Sequence, residues 1–158
     1  MDVLKMYRSL ANKPGGKWLF SRAVAEKAPY FKTIRPRLES LDESRAVVRI
    51  PKRRAITNHI GTVHAIAMCN LAEFAGGLLT EVACPSSARW IPKGMTVEYI
   101  AKAETDLIGT ASFPPAVDWA QAQEVPVPVE VHDTHGTLVF RAEIRMYCSP
   151  KPARKAAA

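Results

Sequence analysis

Residues 58–73 read NHIGTVHAIAMCNLAE. The stretch passes from a polar segment into an apolar run that sets Val63, Ile66, Met68 and Leu71 on helical spacing. The same run carries His64, Asn70 and Glu73. Burying an imidazole and a carboxylate in a helix that reads as core costs several kcal/mol unless something compensates. The helix predicted here, 63–79, is apolar on nearly every face, the composition of a helix wrapped by a sheet on most sides.

The flanking segments supply that sheet. Residues 2–11 place Val3, Leu4, Tyr7 and Leu10 at helical spacing, Pro14-Gly15-Gly16 breaks the pattern, and a second helix is expected from Lys17 to Lys27. The period then changes to two. Thr33–Leu41 and Ser44–Pro51 read as strands around a turn at Asp42-Glu43, and residues 52–62 as a polar, basic loop. After the helix come strands at Met95–Ala101 and Leu107–Phe113, a proline-containing loop over 114–123, and a strand alternating Val125, Val127, Val129 and Val131. Asp133-Thr134-His135-Gly136 reads as a hairpin turn into a last strand carrying Leu138, Phe140, Ala142, Ile144 and Met146 on one face. Pro126 and Pro128 aim their missing N–H groups at one strand edge, which should be free or bulged there. This order predicts an α+β fold: an antiparallel β-sheet wrapped around a long central α-helix, with an N-terminal helical extension. One domain is expected over 1–148, with the N-terminal helices inside 1–28, followed by a basic, disordered tail over 149–158.

Twenty-two Lys and Arg residues against 15 Asp and Glu give a net charge of +7, which favours an anionic partner. No run interleaves basic residues with aromatics, so nucleic acid is not expected. No stretch of membrane-span length is free of charge or proline, so neither is a membrane. Cys69, Cys84 and Cys148 form no CxxC pair and are odd in number, which excludes a disulfide framework and a zinc knuckle. MDVLKMYRSLANK lacks the uninterrupted apolar segment of a signal peptide, and a cytoplasmic protein with reduced thiols is expected. His132, Asp133 and His135 share a turn, where a solvated hairpin outweighs a metal site.

Helical geometry sharpens the problem of the polar residues. The nine-residue step from His64 to Glu73 turns the side chain by roughly 180° and advances it about 13 Å. They cannot readily meet in a site built by one chain. Two copies of the helix packed antiparallel about a twofold axis would lay the start of one beside the middle of the other. A homo-oligomer with composite sites is therefore expected. Asn70, one turn before Glu73, shares its face. Cys69 lies about 140° from His64, which argues against a Cys–His nucleophile and for small core filling.

Asn58-His59-Ile60-Gly61-Thr62-Val63-His64, followed at fixed spacing by Leu71-Ala72-Glu73, resembles the signature of hot-dog-fold acyl-CoA thioesterases of the phenylacetyl-CoA thioesterase-like branch. Those proteins carry Asn-x-x-Gly-x-x-His-Gly-Gly and then Leu-Ala-Asp or Leu-Ala-Glu, with the carboxylate nine residues after the His. The similarity in element order extends from about Thr33 to Cys148. It implies a hot-dog fold that hydrolyses an acyl-CoA or acyl-carrier-protein thioester. Glu73 would be general base or nucleophile, and the Ala65 N–H, at the positive end of the helix dipole, would receive the oxyanion. His64 and Asn58 would line the thioester pocket across a dimer interface, with Gly61, Ile66 and Asn70 also against the substrate; by residue chemistry alone His64 equally suits a backbone hydrogen bond at the helix start, Asn58 an Asx-turn in its loop and Asn70 a bonded buried amide. Dimers formed edge to edge, some pairing into tetramers, are implied, with no metal and no cofactor beyond the coenzyme A of the substrate.

Arg89 and Lys93, with Lys52, Arg53 and Arg54, are loop cations suited to coenzyme A phosphates. The packing of Phe74, Leu78, Trp90 and Tyr99 would set the depth of an acyl tunnel. The family's two glycines after the His are Ala65 and Ile66 here, and Ile66 narrows or reshapes the approach to the helix end. The water-orienting hydroxyl is unassigned among Thr96, Ser86 and Ser87, and Asn70 could stand in for it. A non-catalytic acyl-CoA or acyl-carrier binding protein and a hot-dog hydratase or dehydratase are the alternatives on the same scaffold.

Overall fold

A computed structural model describes residues 2–114 and 116–152. Helix α1 (Val3–Ala11) starts at Asp2, whose Oδ1 accepts the Lys5 N–H at 2.9 Å. Helix α2 (Gly16–Lys27) follows, then a 3-10 turn over Pro29–Thr33. Strands β1 (Arg37–Leu41) and β2 (Arg45–Ile50) precede the central helix α3 (Ala65–Ala83), and β3 (Ala88–Tyr99), β4 (Leu107–Ser112), β5 (Gln123–Asp133) and β6 (Leu138–Pro150) complete the chain.

The six strands form one antiparallel sheet in the order β1-β2-β4-β5-β6-β3. It curls around α3, which packs on five of the strands. Leu71 and Leu79 of the helix are fully buried against a sheet face that includes Val48, Ile50, Leu107, Val127 and Ile144. The approach is close: a Cβ on Gly109 would stand 2.8 Å from Leu71 Cγ, and one on Gly76 would stand 2.7 Å from Ile144 Cδ1. This is the sheet-on-helix arrangement expected from the hydrophobic periodicity. Among the described residues α3 alone is long and apolar enough to cross a membrane, and it lies mostly buried inside the sheet.

Several boundaries differ from expectation, each for a local reason. Residues 33–36 are not strand: Pro29 opens the 3-10 turn, and Arg35 takes φ 50, which no strand accommodates. Helix α3 starts at Ala65 rather than residue 63 because His64 is its N-cap, with extended φ −64 and ψ 141. It continues to Ala83 because the first residue barred from helical geometry is Cys84, held extended (ψ 117) by Pro85. β3 begins at Ala88 rather than Met95: an edge strand tolerates Pro92, and a bulge between Pro92 and Gly94 absorbs the extra residue. β6 runs to Pro150, so Ser149 and Pro150 pair with Arg89 and Ala88 instead of starting the tail. From residue 153 onward the expected tail lies outside the described residues. The prolines of β5 behave as read: β6 pairs along the whole stretch, whereas β4 pairs only from Val129 onward, leaving one edge free at Pro126 and Pro128.

The N-terminal helices dock by both packing and a buried hydrogen bond. Tyr7 meets Phe20 edge-on at 5.3 Å, and Ser21 Oγ accepts the Leu38 N–H at 2.8 Å, tying α2 to β1.

Asp106 ties the end of β2 to the start of β4. Its Oδ1 accepts the Lys52 N–H at 2.8 Å and its Oδ2 accepts Arg49 Nη2–H at 2.9 Å. The Lys52 amide foremost, with help from Arg49, holds this carboxyl below the usual Asp value. A lowered folded-state value adds stability above the unfolded pKa, and that stability is lost as pH falls through the folded value. Asp106→Asn is expected to cost on the order of 1 kcal/mol near neutral pH. It should cost almost nothing in acid, where the wild-type carboxyl is itself protonated. Thermal melts of both proteins across that range check it.

Candidate functional site

The sheet leaves one stripe of α3 incompletely covered. Ile66, Asn70, Glu73, Gly77 and Glu81 recur at steps of three and four residues and so line up along the helix. Ile66 is 53% exposed, Cys69 beside it and Glu73 and Gly77 are half-buried, and Glu81 is exposed, whereas Leu71, Ala75 and Leu79 on the opposite side are sealed.

Glu73 sits midway along this stripe. Four other glutamates near the sheet are engaged: Glu81 accepts Trp90 Nε1–H at 2.8 Å, Glu98 and Glu130 flank Arg141, and Glu124 faces Arg145, while Glu39 of β1 and the exposed Glu143 of β6 carry no side-chain partner among the described residues and line none of the recesses around α3. Among the described residues Glu73 has no hydrogen-bond or ion-pair partner, so nothing within the chain gives it a structural task. Asn70 is only 8% exposed, and its side-chain amide likewise has no hydrogen-bond partner among the described residues. The amide atoms themselves still reach solvent, since Arg53 Nε alone is a buried side-chain polar atom without a partner among the described residues, so Asn70 is open to bonding a molecule beside Glu73.

The loop before the helix is organised by Asn58. Its Oδ1 accepts the Ile60 and Thr62 N–H groups, both at 3.1 Å, and its Nδ2 donates to Thr62 Oγ1 at 2.8 Å, with Gly61 at φ 79 closing the turn. The Val63 N–H donates to Ala103 O and the His64 N–H to Ile56 O, both at 2.8 Å, which fixes the entry into the helix. His64 Nδ1 then accepts the Ile66 N–H at 3.1 Å, an arrangement that leaves the ring proton on Nε2. The Ala67 and Met68 N–H groups both reach His64 O. Of the first-turn donors only the Ala65 N–H has no acceptor among the described residues. It stands at the positive end of a 19-residue helix.

The structure thus places Asn58, Gly61, His64, Ala65 and Ile66 together at the helix start, with Asn58 and Gly61 shaping the loop and His64 capping the helix. Glu73 and Asn70 lie further along. From Ala65 to Glu73 is eight residues, about 12 Å of helix. One chain does not bring the free donor and the free carboxylate together.

Glu73 borders a cavity of about 460 Å³. Phe74, Gly77 and Leu78 continue its α3 side, Trp90 and Pro92 of β3 and Met146 of β6 form another wall, and α1, α2 and the following turn close it with Val3, Met6, Val24 and Phe31. A second recess of about 680 Å³ shares Val3, Glu81 and Trp90 with the first and is bordered by Arg89 and Lys151. Arg89 therefore stands near the cavity, its Nε–H donating to Ser149 Oγ at 3.2 Å, while Lys93 sits 4.2 Å from the centre of the Tyr147 ring and lines neither recess. Lys52 and Arg53 are used in the fold: Lys52 Nζ–H donates to Glu104 O at 3.0 Å, and Arg53 Nη2–H to Thr33 O.

Two of the three cysteines, Cys84 and Cys148, are held away from the thiolate form. Burial pushes the Cys148 thiol up to about 11 and raises that of Cys84 as well. Cys69 Sγ lies 3.5 Å from Tyr99 Oη, and that contact, with burial, raises the phenol above its ordinary value. Among the described residues no three His, Cys, Asp or Glu side chains gather as metal ligands.

Sequence reasoning missed the part played by the N-terminal helices. The apolar spacing of Val3, Leu4, Tyr7 and Leu10 announces a buried face, yet only the tertiary structure shows that Val3 and Met6 look onto the same cavity as Glu73.

The profile of a family described as a domain of unknown function, DUF4442, matches residues 16–148. No curated protein matches the chain. The crystal structure of a structural-genomics target is 43% identical, over 94% of this chain and 98% of that one, at a TM-score of 0.81. A Pseudomonas aeruginosa protein of unknown function, described as a probable thioesterase, is 22% identical over 83% of this chain and 93% of its own, at a TM-score of 0.73. A Haemophilus influenzae thioesterase is 8% identical over 80% and 87%, at 0.69. At such identities the last two speak for the fold, and the fold is the hot-dog fold.

Proposed function

The chain belongs to the DUF4442 family, and on that footing we propose that it is an acyl-thioester hydrolase whose sites are each built by two copies of the chain. The observation that carries this reading is Glu73: a half-buried carboxylate on the central helix, without a partner among the described residues, at the edge of an apolar cavity. Two further features support it. The Ala65 N–H is unclaimed at the start of the same helix. The names of solved structures with this fold include a thioesterase and a probable thioesterase.

In this reading the central helices of two protomers run antiparallel, so that Glu73 of one faces the helix start of the other. β3 provides the contact. It is an edge strand of 12 residues, and Ile91 and Tyr99 on it, Ile100 beyond it and Ile66 on α3 are large apolar side chains left exposed. A long apolar edge of this kind is covered in a stable protein.

The thioester carbonyl oxygen accepts the partner's Ala65 N–H, which grows stronger as negative charge develops on that oxygen. Glu73 takes a proton from water as the hydroxide adds to the carbonyl carbon, or its carboxylate adds directly, expelling the thiolate to leave a mixed anhydride that water then hydrolyses to the acid and free Glu73, the thiolate taking up a proton. In the water route the tetrahedral intermediate collapses, the C–S bond breaks, and the leaving thiolate receives the proton from Glu73. Asn70 holds the attacking water, which gives its unbonded amide a partner. The substrate supplies its own coenzyme A, and no other cofactor takes part.

Free-thiol release from a panel of acyl-CoA thioesters tests the reading. Turnover of at least one thioester is the expected result. Saturable binding without thiol release would make this an acyl-CoA binding protein, the reading favoured by exposed Ile66 at the approach to Ala65. Hydration of enoyl-CoA without thiol release would make it a hydratase.

A further inference from the structure

We propose that the cavity beside Glu73 is the acyl-chain pocket, that the N-terminal helices are the wall that closes it, and that it selects apolar acyl groups of medium to long chain; the inference rests on the thioester reading above. The cavity begins at Glu73 and continues along α3 past Gly77 to Glu81, a run of about 12 Å at ~1.5 Å per residue. Apart from Glu73, Lys27 and Glu81 its lining is uncharged and almost wholly apolar, and Glu81 is held by the Trp90 indole. A polar acyl group would find few partners there, whereas a hydrocarbon loses nothing by entering. A volume of about 460 Å³ at ~30 Å³ per water-sized group gives room for about fifteen such groups.

Gly77 supports the same conclusion independently. A glycine inside a helix is unfavourable relative to alanine, so it needs a reason. Gly76 has one in the sheet packed against it. Gly77 does not: a Cβ there would meet only the Trp90 ring, at 3.4 Å and beyond. What the missing side chain provides is open volume between α3 and Trp90 on the wall of the cavity, one helical turn from the reacting carboxylate. The facing wall comes from the extension. Met6 of α1, Val24 of α2 and Phe31 pack on the core from outside the sheet, and Phe31 stands edge-on to Phe74 at 5.3 Å. Chain-length preference is thus written in α1 and α2 as much as in the central helix.

The test is calorimetric binding of S-alkyl-CoA thioethers, from ethyl to hexadecyl, beside thiol release from the matching acyl-CoA thioesters. In wild type the affinity should rise about two- to fourfold per methylene and level off once roughly ten to fourteen carbons fill the pocket. Gly77→Leu, from the α3 side, and Val24→Trp and Met6→Trp, from the extension, should each move the break to shorter chains and lower the ratio of long-chain to short-chain affinity at least about tenfold. Melting curves identify the variants that keep the wild-type fold, and the comparison is made on those. Affinity independent of chain length in wild type, or an unmoved break in the folded variants, would overturn the pocket. Graded binding with no thiol release upholds the pocket and removes the hydrolase; thiol release with no dependence on length does the reverse.

Discussion

Glu73→Gln should fold like wild type and lose about two to four orders of magnitude in kcat, the usual contribution of a positioned base. The two side chains have nearly the same volume, and among the described residues Glu73 holds no hydrogen bond or ion pair on which the fold depends. The thermal midpoint should therefore stay close to that of wild type, within the range of a surface change. The amide cannot accept the proton of the attacking water, nor attack as a carboxylate, so both chemical roles disappear together. KM should move little, because the cavity beside Glu73 retains its apolar lining. An equal kcat in the two proteins would take Glu73 out of the mechanism.

Ala65→Pro should cost about two to three orders of magnitude, the measured range for removing one oxyanion donor. Proline deletes a single atom of interest, the N–H hydrogen, at the first helical position, where proline is favoured rather than tolerated. The residue before a proline must be extended, and His64 already is, with ψ 141. The His64 cap on the Ile66 N–H stays in place. Ala65→Gly keeps the donor and should retain most activity, which separates loss of the N–H from disturbance of the helix start.

Much of the fold was legible because its signals are local. Alternating valines in β5 and the polar-outside pattern of β6 give strands wherever they are placed, and the apolar run after Val63 gives a helix. What was illegible depends on neighbours distant in sequence. β3 was placed late, since whether Pro92 can sit in a strand depends on its being at the sheet edge, which the chain's order does not state. Residues 33–36 alternate like a strand, yet the proline at 29 and the strained Arg35 decide otherwise.

The site divides in the same way. The spacing of His64, Ala65 and Glu73 on one helix is readable, and so is the impossibility of their meeting within a chain. An Asx-turn at Asn58 and a backbone-bonded imidazole at His64 are readings the sequence permits beside a pocket role, and the hydrogen-bond geometry realises them: Asn58 serves its own loop and His64 Nδ1 caps the helix. The wall formed by α1 and α2 was beyond reach for a related reason: amphipathic spacing shows that a helix has a buried face, and says nothing of what that face covers.

In the proposed mechanism each site is shared between two copies, and one mixing experiment addresses that directly. Glu73→Gln and Ala65→Pro chains, each nearly inactive alone, are unfolded together in equal amounts and refolded, and thiol release is compared with that of the separate parents. In a mixed dimer the intact Glu73 of one chain faces the intact Ala65 N–H of the other, so one of its two sites is complete. With half the dimers mixed, recovery of about a quarter of wild-type activity is predicted. Activity that stays at the level of the parents, with mixed dimers demonstrably formed, would contradict the shared site.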